Sequence, residues 1–275
     1  MRPLDAVHEI ARGLEEAGVP SPRVDAEHLV AHVLELTRTE LYSGDGELTE
    51  DQVRRLRAVG ERRREREPLA YILGEWGFRR LTLLLDGRVL IPRPETEVVV
   101  ERCLAHLEDV AEPRVLDVGA GSGAIALAIA DEHSGARVLA VDRSDGAVAV
   151  ARENLERTGL GERVEFARGE LLRGLSGPFD LVVSNPPYVR PEEYETLQPE
   201  IRLYEPYEAV VGVGVAETIA GDARAVLQPG GWLVLECGDG QAESLAAELR
   251  ALGYADVLVT PDLAGRHRVV EGRRP

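Results

Sequence analysis

The sequence predicts an α/β fold, in which a mostly parallel, doubly wound sheet follows a small helical domain. From about residue 94 onward, short apolar segments such as RVLDVG, RVLAVD and DLVVSN alternate with helical stretches such as GAIALAIADEH. This alternation is typical of a parallel sheet that is covered by helices on both faces. Before that point the apolar residues repeat with helical spacing. The chain is therefore expected to divide into two parts of different architecture.

The first part, residues 1–74, is predicted to be a helical domain. Leu4, Val7 and Ile10 fall on one face of the first predicted helix. The run RRLRAVGERRRERE, at 54–67, continues as a charged helix. We interpret this run as a solvated face with Glu–Arg pairs, with a partner-binding surface as the alternative.

Residues 75–93 are predicted to form a β-hairpin that connects the two parts. The dipeptide Asp86-Gly87 lies between two apolar runs, which is the usual mark of a turn between antiparallel strands. The remaining residues, 94–275, form the predicted α/β domain. Its tail, ADVLVTPDLAGRHRVVEG, offers two strands with no room for a helix between them, so an antiparallel hairpin is expected there.

Charge and hydropathy exclude several classes of protein. A net charge of −17 argues against a broad, sequence-independent grip on nucleic acid, because that needs a basic face. No apolar run approaches the roughly 20 residues that span a bilayer, and the N-terminus is too charged for a signal peptide. We therefore expect a soluble cytoplasmic protein with no membrane partner and no direct nucleic-acid partner. A monomer is expected as a separate interpretation.

The cysteines and histidines give little sign of redox or metal chemistry. Cys103 and Cys237 lie far apart and in different predicted elements, so two buried thiols are a simpler interpretation than a disulfide. His28 and His32 have the helical spacing of a zinc-binding pair, but the sequence suggests no third ligand. No metal is expected.

A glycine-rich loop indicates a ligand at the carboxyl edge of the predicted sheet. In VLDVGAGSGAIALAIA, the residues Gly119, Gly121 and Gly123 separate a strand from a helix. They allow the backbone to turn sharply and to approach a ligand at the helix N-terminus. Asp142 ends the next strand, where a carboxylate can accept hydrogen bonds from both hydroxyls of a ribose. This pattern fits NAD and S-adenosylmethionine equally.

The third and fourth strands extend this site and distinguish the two ligands. Glu170 follows the third strand, where it can meet adenine or ribose, and SNPPY ends the fourth. The Asn185 side-chain oxygen and a proline carbonyl can both accept hydrogen bonds from one NH2 group, and Tyr188 offers a flat surface. Pro186 and Pro187, with fixed φ angles, hold the acceptors in place. Such acceptors orient a weakly basic amide or aromatic amine toward an electrophilic methyl group, and they stabilise the developing positive charge.

Several segments resemble a known family. LDVGAGSGAIALA, VDRSDGAVAVARENLER and SNPPYV are similar to class I S-adenosylmethionine-dependent methyltransferases of the (D/N)PPY type. YILGEWGF, LIPRPETE, EPYEAV and DLAGRHRVV resemble the release-factor glutamine N5-methyltransferases, the PrmC/HemK family. IPRPETE is the most discriminating of these segments, since generic methyltransferases lack it. The resemblance runs from about residue 70 to the end, and the helical N-terminus agrees with the small domain of that family.

The resemblance implies a seven-stranded class I methyltransferase sheet and a helical bundle, 1–74, that helps to dock the substrate. It implies methylation of the side-chain amide nitrogen of the glutamine in the Gly-Gly-Gln motif of class I peptide chain release factors. The donor is S-adenosyl-L-methionine and the product is S-adenosyl-L-homocysteine.

The resemblance also assigns site residues. Those implied to bind the donor are Gly119, Ala120, Gly121, Ser122, Gly123, Asp142, Glu170, Leu171 and Asn185. Those implied to hold the glutamine amide and to act in catalysis are Asn185, Pro186, Pro187 and Tyr188. Phe78 and the segment RPETE are implied to close over the donor. The sequence departs from the family at Leu171, where an aromatic residue is common, and in the 211–217 loop, which lacks the usual Gly-Gly and Asp-Gly pattern.

Three alternatives stay open. A methyltransferase acting on an exocyclic amino group of adenine or guanine in nucleic acid would suit the same tetrapeptide, although the net charge of −17 weighs against it. An NAD-dependent dehydrogenase would need an acid or base for hydride transfer, and none is evident. A non-enzymatic binding module is disfavoured because the stretch 185–188 is intact.

Overall fold

The structure is a computed structural model that describes residues 1–43 and 46–275. The chain forms two compact units, which we call the helical unit and the sheet unit. The helical unit contains Met1–Glu75 and Leu197–Tyr204, and the sheet unit contains Trp76–Thr196 and Glu205–Pro275. A segment from late in the chain therefore belongs with the N-terminal helices, which the sequence did not predict.

The elements follow one another as the sequence pattern indicates. The first helices are α1 (Pro3–Glu16), α2 (Pro22–Leu34), α3 (Arg38–Ser43), α4 (Glu50–Arg64) and α5 (Leu69–Leu73). The next elements are β1 (Glu75–Phe78), β2 (Leu81–Leu84), α6 (Thr96–Leu107), β3 (Arg114–Val118), α7 (Ala124–Glu132), β4 (Arg137–Asp142), α8 (Asp145–Thr158), β5 (Val164–Arg168) and β6 (Phe179–Ser184). The last are α9 (Pro191–Tyr194), α10 (Pro199–Tyr204), α11 (Tyr207–Val210), α12 (Val215–Val226), β7 (Leu227–Glu236), α13 (Ala242–Ala251), β8 (Ala255–Pro261) and β9 (His267–Arg273).

Apolar side chains between helices form the core of the helical unit. Val7 and Leu14 of α1, Leu29 of α2 and Leu56 of α4 are buried in one cluster. Amphipathic helices of this kind are stabilised mainly by burial of their apolar faces rather than by helix propensity. The helical prediction for this region is confirmed by these elements.

The charged residues of α4 have two kinds of environment. Arg64 pairs with Glu61 at the surface, with nitrogen and oxygen 2.9 Å apart, as expected for a solvated face. Arg63, in contrast, is buried and lies 2.7 Å from Asp25 and 3.0 Å from Glu200 of α10. The interpretation of the whole run as a solvated face is therefore wrong at Arg63, because a buried cation needs close anionic partners.

β1 and β2 form a separate two-stranded sheet inside the range 75–93, but the turn predicted at Asp86-Gly87 is wrong. The turn lies at Arg79 and Arg80, whereas Asp86-Gly87 follows β2. Arg79 has a φ of 51°, an unusual conformation for a residue with a side chain. Its backbone N–H donates to the Glu97 side chain at 2.9 Å, and its guanidinium binds the Glu132 carboxylate. These tertiary contacts, rather than local turn propensity, stabilise the turn.

The main sheet has the strand order β5-β4-β3-β6-β7-β9-β8. β3 to β7 pair in parallel, and β9 pairs antiparallel with both β7 and β8. The predicted parallel sheet with an antiparallel C-terminal hairpin is thus confirmed. After β3 the chain continues outward to β4 and β5 and then returns to β6 on the other side of β3. A crevice that can hold a ligand is expected at the carboxyl ends of the strands where the strand order reverses.

Helices cover both faces of this sheet. One apolar cluster contains residues of α6, α7 and α8, and a second contains residues of α12 and α13. All residues of α7 from Ala124 to Ala130 are buried, which explains its apolar sequence. Cys103 and Cys237 are buried free thiols, one in each cluster, as predicted.

Within residues 1–43 and 46–275, no helix is both long enough and apolar enough to pass through a membrane. The same residues contain no group of three or more His, Cys, Asp or Glu side chains that could hold a metal ion.

Candidate active site

The glycine loop is held against β4 at the carboxyl edge of the sheet. The N–H groups of Gly119 and Ala120 both donate to the carbonyl oxygen of Val141, at 2.8 and 3.0 Å. Gly119 and Gly121 have φ angles of 80° and 55°, which glycine adopts without a steric penalty. The Ser122 carbonyl oxygen accepts a hydrogen bond from the buried side chain of Asn154 on α8, at 2.9 Å. The loop is thus fixed in place from two sides.

A cavity of about 230 Å³ lies beside this loop within the sheet unit. The predicted site residues that line it are Gly119, Ala120, Gly121, Ser122, Asp142, Glu170, Leu171, Asn185 and Pro187. Lining residues that the resemblance did not assign individually include Arg88, Pro92, Thr96, Ser144, Pro206 and Glu208. The ends of β3, β4, β5 and β6 therefore meet at one cavity, as the strand order predicts.

Asp142 has a structural role in addition to its place in the cavity wall. One carboxylate oxygen accepts from the N–H of Gly121 and the other accepts from the N–H of Ser144, each at 2.9 Å. A carboxylate oxygen has two acceptor positions, so each can accept one further hydrogen bond. Asp142 can therefore hold the glycine loop and still bind the two hydroxyls of a ribose.

Gly123 does not line the cavity. It precedes α7 with a φ of 84°, and a Cβ atom at this position would lie 2.7 Å from the ring of Phe166 on β5. Real Cβ contacts are longer than this, so a side chain would force the ring to move. The third glycine of the loop is required for packing of the helix against the sheet.

Glu170 and Leu171 line the cavity beyond β5. Leu171 is half-buried and has a φ of 49°, one of the few positive values among residues with a side chain. Left-handed backbone at a residue of this kind costs of order 1–3 kcal/mol and often marks a ligand-binding segment. Leu171 presents an aliphatic surface at the position where the family often has an aromatic ring.

Three of the four residues of NPPY line two cavities, and Pro186 lines neither of them. Asn185 and Pro187 line the cavity that contains the glycine loop, while Pro187 and Tyr188 line a neighbouring cavity of about 130 Å³. Pro186 is buried. The Tyr188 carbonyl oxygen accepts from the Gln241 side chain at 3.0 Å, so it is already paired. Burial, assisted by the nearby Glu236 carboxylate, raises the pKa of the Tyr188 phenol to about 12, so the ring is neutral at ordinary pH.

The 211–217 loop packs directly on this turn. The N–H of Gly212 donates to the carbonyl oxygen of Val189 at 3.1 Å. A Cβ atom at Gly212 would lie 2.8 Å from both the Cγ atom and the carbonyl oxygen of Pro187. A glycine at 212 is therefore needed for the loop to approach the prolines, although the usual family pattern is absent.

Thr96, which the resemblance assigned only as part of RPETE, contacts Asn185, and Glu236, which sequence reasoning did not assign, contacts Thr96. Asn185 Nδ2 donates to Thr96 Oγ1 at 3.2 Å, and Thr96 Oγ1 donates to Glu236 Oε2 at 2.7 Å. Thr96 belongs to the segment RPETE, and Glu236 ends β7. The only sequence signal for Glu236 was an acidic residue at the carboxyl end of an otherwise apolar strand.

The segments that carry the family resemblance are joined by ion pairs. Arg93 binds Glu205 with nitrogen–oxygen distances of 2.7 and 2.8 Å, which links RPETE to EPYEAV. Glu95 lies 2.8 Å from Arg266, which links RPETE to DLAGRHRVV.

The implied role of Phe78 at the site is wrong. Phe78 is only 2% exposed, belongs to the core and does not line the cavity. Its ring contributes to the sheet unit through apolar packing.

A buried carboxyl lies beneath the glycine loop. Asp117 Oδ2 accepts from the N–H of Ala126 at 3.2 Å, whereas Oδ1 has no hydrogen-bond partner among the described residues. Burial raises the pKa of Asp117 to about 7, and the nearby Asp142 carboxylate acts in the same direction. In the sequence, the only indication of this buried carboxyl is the acidic residue in LDVG, two positions before Gly119.

Two family models match the chain. Residues 5–74 match the PrmC N-terminal domain, and residues 98–201 match the methyltransferase small domain. A solved structure of the 16S rRNA N2 G1207 methyltransferase of T. thermophilus is 22% identical, with a TM-score of 0.53 over 73% of this chain and 50% of that chain. At this identity the likeness shows the fold alone, which is that of a methyltransferase.

Relatives of known name are more similar and span nearly the whole chain. The release factor glutamine methyltransferase of Deinococcus radiodurans is 46% identical over 98% of this chain and 98% of its own. The release factor glutamine methyltransferase of Caulobacter vibrioides is 39% identical over 94% of this chain and 92% of its own. Because these relatives are methyltransferases, the alternative of an NAD-dependent dehydrogenase is not supported. The chain that places the glycine loop, Asp142 and Asn185 at one cavity belongs to the release factor glutamine methyltransferase family.

Proposed function

We propose that this protein transfers a methyl group from S-adenosylmethionine to the side-chain amide nitrogen of the glutamine in the Gly-Gly-Gln motif of class I release factors. The observation that carries the proposal is the presence of Asn185 and the glycine loop in the wall of one cavity. The names of the relatives support the same reaction.

The residues of the cavity fit the donor. The backbone of Gly119 and Gly121 can approach its methionine part closely, and the unused acceptor positions of Asp142 suit the ribose hydroxyls. Glu170 and the aliphatic surface of Leu171 lie where the adenosine is expected. When bound, S-adenosylmethionine supplies an electrophilic methyl group. The donor assignment rests on this chemical fit and on the family.

Asn185 is proposed to orient the nucleophile. An amide nitrogen is a weak nucleophile, because its lone pair is delocalised into the carbonyl group. Asn185 Oδ1 and the Pro186 carbonyl oxygen can accept its two N–H bonds and so direct the nitrogen lone pair toward the methyl group. The same acceptors stabilise positive charge on the nitrogen, which releases one proton in the reaction. Tyr188 packs beside the planar amide as a neutral phenol.

The helical unit is proposed to supply contacts to the release factor. A pocket built by 185–188 can select a planar amide, but glutamine is common on protein surfaces, so specificity needs further contacts. The family model that matches residues 5–74 and the arginines of α4 make this unit the candidate. We also propose that the protein is a cytoplasmic monomer and that it acts on protein and not on nucleic acid.

The test is a methylation assay with labelled S-adenosylmethionine. We expect label on the Gly-Gly-Gln glutamine of an intact class I release factor, far less on a short Gly-Gly-Gln peptide, and none on a release factor with that glutamine changed to glutamate. Equal labelling of peptide and protein would contradict the docking role. Label on RNA or DNA and not on the release factor would contradict the glutamine assignment.

A further inference from the structure

The hydrogen bonds around Asn185 have a defined direction. An ionised carboxylate only accepts, so the Thr96 hydroxyl must direct its proton to Glu236. The Thr96 oxygen then accepts from Asn185, and only the NH2 side of an asparagine amide can donate. The two bonds, 2.7 and 3.2 Å long, therefore fix Nδ2 toward Thr96 and leave Oδ1 on the other side of the amide.

Burial makes this arrangement hard to replace with water. Glu236 is 1% exposed and Thr96 is 3% exposed, while Asn185 is half-buried. A carboxylate this deep in the protein is costly unless its oxygens are paired. The free-energy cost of burying the Glu236 carboxylate has a functional reason if the orientation of the Asn185 amide matters for the reaction.

We propose that Thr96 and Glu236 are positioning residues that fix the amide of Asn185 so that Oδ1, and not Nδ2, faces the substrate. This inference rests on the proposed function, in which Oδ1 accepts a hydrogen bond from the glutamine NH2 group. A reversed Asn185 amide would present NH2 to NH2, and the substrate would lose an acceptor and gain a repulsive contact. Neither positioning residue has to touch the substrate.

The charge of Glu236 controls the direction of the network. The charged and titratable groups that act on it or respond to it are Arg93, Glu95, Tyr188, Cys237 and Arg268. Burial raises the pKa of Glu236 to about 7, and the hydrogen bond from Thr96 and the charges of Arg268 and Arg93 oppose this rise. Below that pH a protonated Glu236 can donate to Thr96. The hydroxyl is then free to donate to Asn185, which allows the reversed amide.

The test compares Thr96→Val, which keeps shape and removes the hydroxyl, with Thr96→Ser, which keeps the hydroxyl. For Thr96→Val we expect kcat on an intact release factor to fall about 10- to 100-fold, less than the 10²–10³-fold typical for complete loss of one positioned donor or acceptor. The KM for the release factor and the affinity for S-adenosylmethionine should change less than about twofold, because the lost effect is on orientation. Thr96→Ser should keep most of the wild-type kcat. Thr158→Val is the matched control, since the Thr158 hydroxyl donates to the Leu155 carbonyl of its own helix.

The pH profile gives a readout that simple packing would not change. In the wild type, kcat should decline on the acid side through about pH 7, and Glu236→Gln should remove this decline. The proposal is overturned if Thr96→Val retains wild-type kcat, if Thr96→Ser is as slow as Thr96→Val, or if the acid decline persists in Glu236→Gln. Failure of the wild type to methylate any release factor would instead contradict the proposed function.

Discussion

Arg66 and Glu200 form a bidentate ion pair across 134 residues of sequence, with nitrogen–oxygen distances of 2.8 and 2.7 Å. The buried Arg63 lies 3.0 Å from the same carboxylate. These contacts hold α10 within the helical unit, although the chain on either side of it belongs to the sheet unit. Removal of residues 1–74 would leave Glu200 without these partners, so full-length variants are the better test of docking.

Glu200→Ala should destabilise the helical unit. Removing one partner of a buried pair costs about 3–5 kcal/mol, and we expect the lower end because Arg63 keeps Asp25 as a partner. Urea unfolding followed by far-UV circular dichroism measures this change. Glu61→Ala, which removes the exposed partner of Arg64, is the control and should cost less than about 0.5 kcal/mol. Equal effects of the two substitutions would contradict a buried, stabilising role for Glu200.

The same pair has a predicted pH dependence. Burial opposes the charge on Glu200, but hydrogen bonds from Arg66 and Arg63 outweigh it and lower the pKa of the carboxyl. A carboxyl with a lowered pKa in the folded state stabilises the protein above its unfolded-state pKa. That contribution should be lost as the pH falls through the folded-state value, and the difference in stability between wild type and Glu200→Ala should shrink accordingly.

Asp142→Ala should weaken the binding of S-adenosylmethionine. Lost hydrogen bonds to a charged group cost about 1.5–3 kcal/mol, and the freed N–H of Gly121 should also loosen the loop. Calorimetric titration of the folded variant measures the affinity. Asp145→Ala, at an exposed carboxylate that pairs with Arg168, is the control and should bind as wild type does. Unchanged affinity in Asp142→Ala would remove this residue from the site.

Asn185→Ala should damage the chemical step more than folding. Loss of one positioned hydrogen-bonding group in comparable polar sites lowers the rate about 10²–10³-fold. Single-turnover methylation of a release factor, with the melting temperature measured in parallel, separates the two effects. Asn185→Asp keeps an acceptor but adds a charge next to Thr96 and Glu236, so it should also be slow. A rate within twofold of wild type for the alanine variant would refute the assignment.

Gly123→Ala should destabilise the sheet unit through packing. The added Cβ would meet the Phe166 ring at 2.7 Å, and such overpacking costs about 1–3 kcal/mol in addition to about 1–2 kcal/mol for the left-handed backbone. Gly119→Ala is the comparison, because its added Cβ would meet no other described residue within 4 Å apart from its chain neighbours, so the backbone cost dominates. Thermal melts should show the larger drop for Gly123→Ala, and Phe166→Leu should partly relieve it. Equal drops for both glycines would argue against the packing role.

Local patterns in the sequence were sufficient for much of the fold. Strands and helices can be recognised from the spacing of apolar residues that are close in sequence, and their alternation predicts a parallel sheet. The glycine loop, Asp142 and NPPY could be assigned to the carboxyl ends of strands for the same reason. The structure brings Gly119, Gly121, Asp142, Asn185 and Pro187 to one cavity, whereas Gly123, Pro186 and Tyr188 do not line it. Each of these signals lies within about 20 residues of chain, as backbone turns and strand ends do.

Only the tertiary structure decided which distant side chains meet. Thr96 and Glu236 are 140 residues apart, and nothing in the local sequence of either indicates that they form a hydrogen bond beside Asn185. The hairpin turn at Arg79, rather than at Asp86-Gly87, depends on Glu97 and Glu132, which lie on later helices. α10 contacts the N-terminal helices of the helical unit through Glu200, which pairs with two arginines from the first part of the chain. Hydrogen bonds and ion pairs between buried groups depend on distance in space and on exclusion of water, and the sequence specifies neither until the chain has folded.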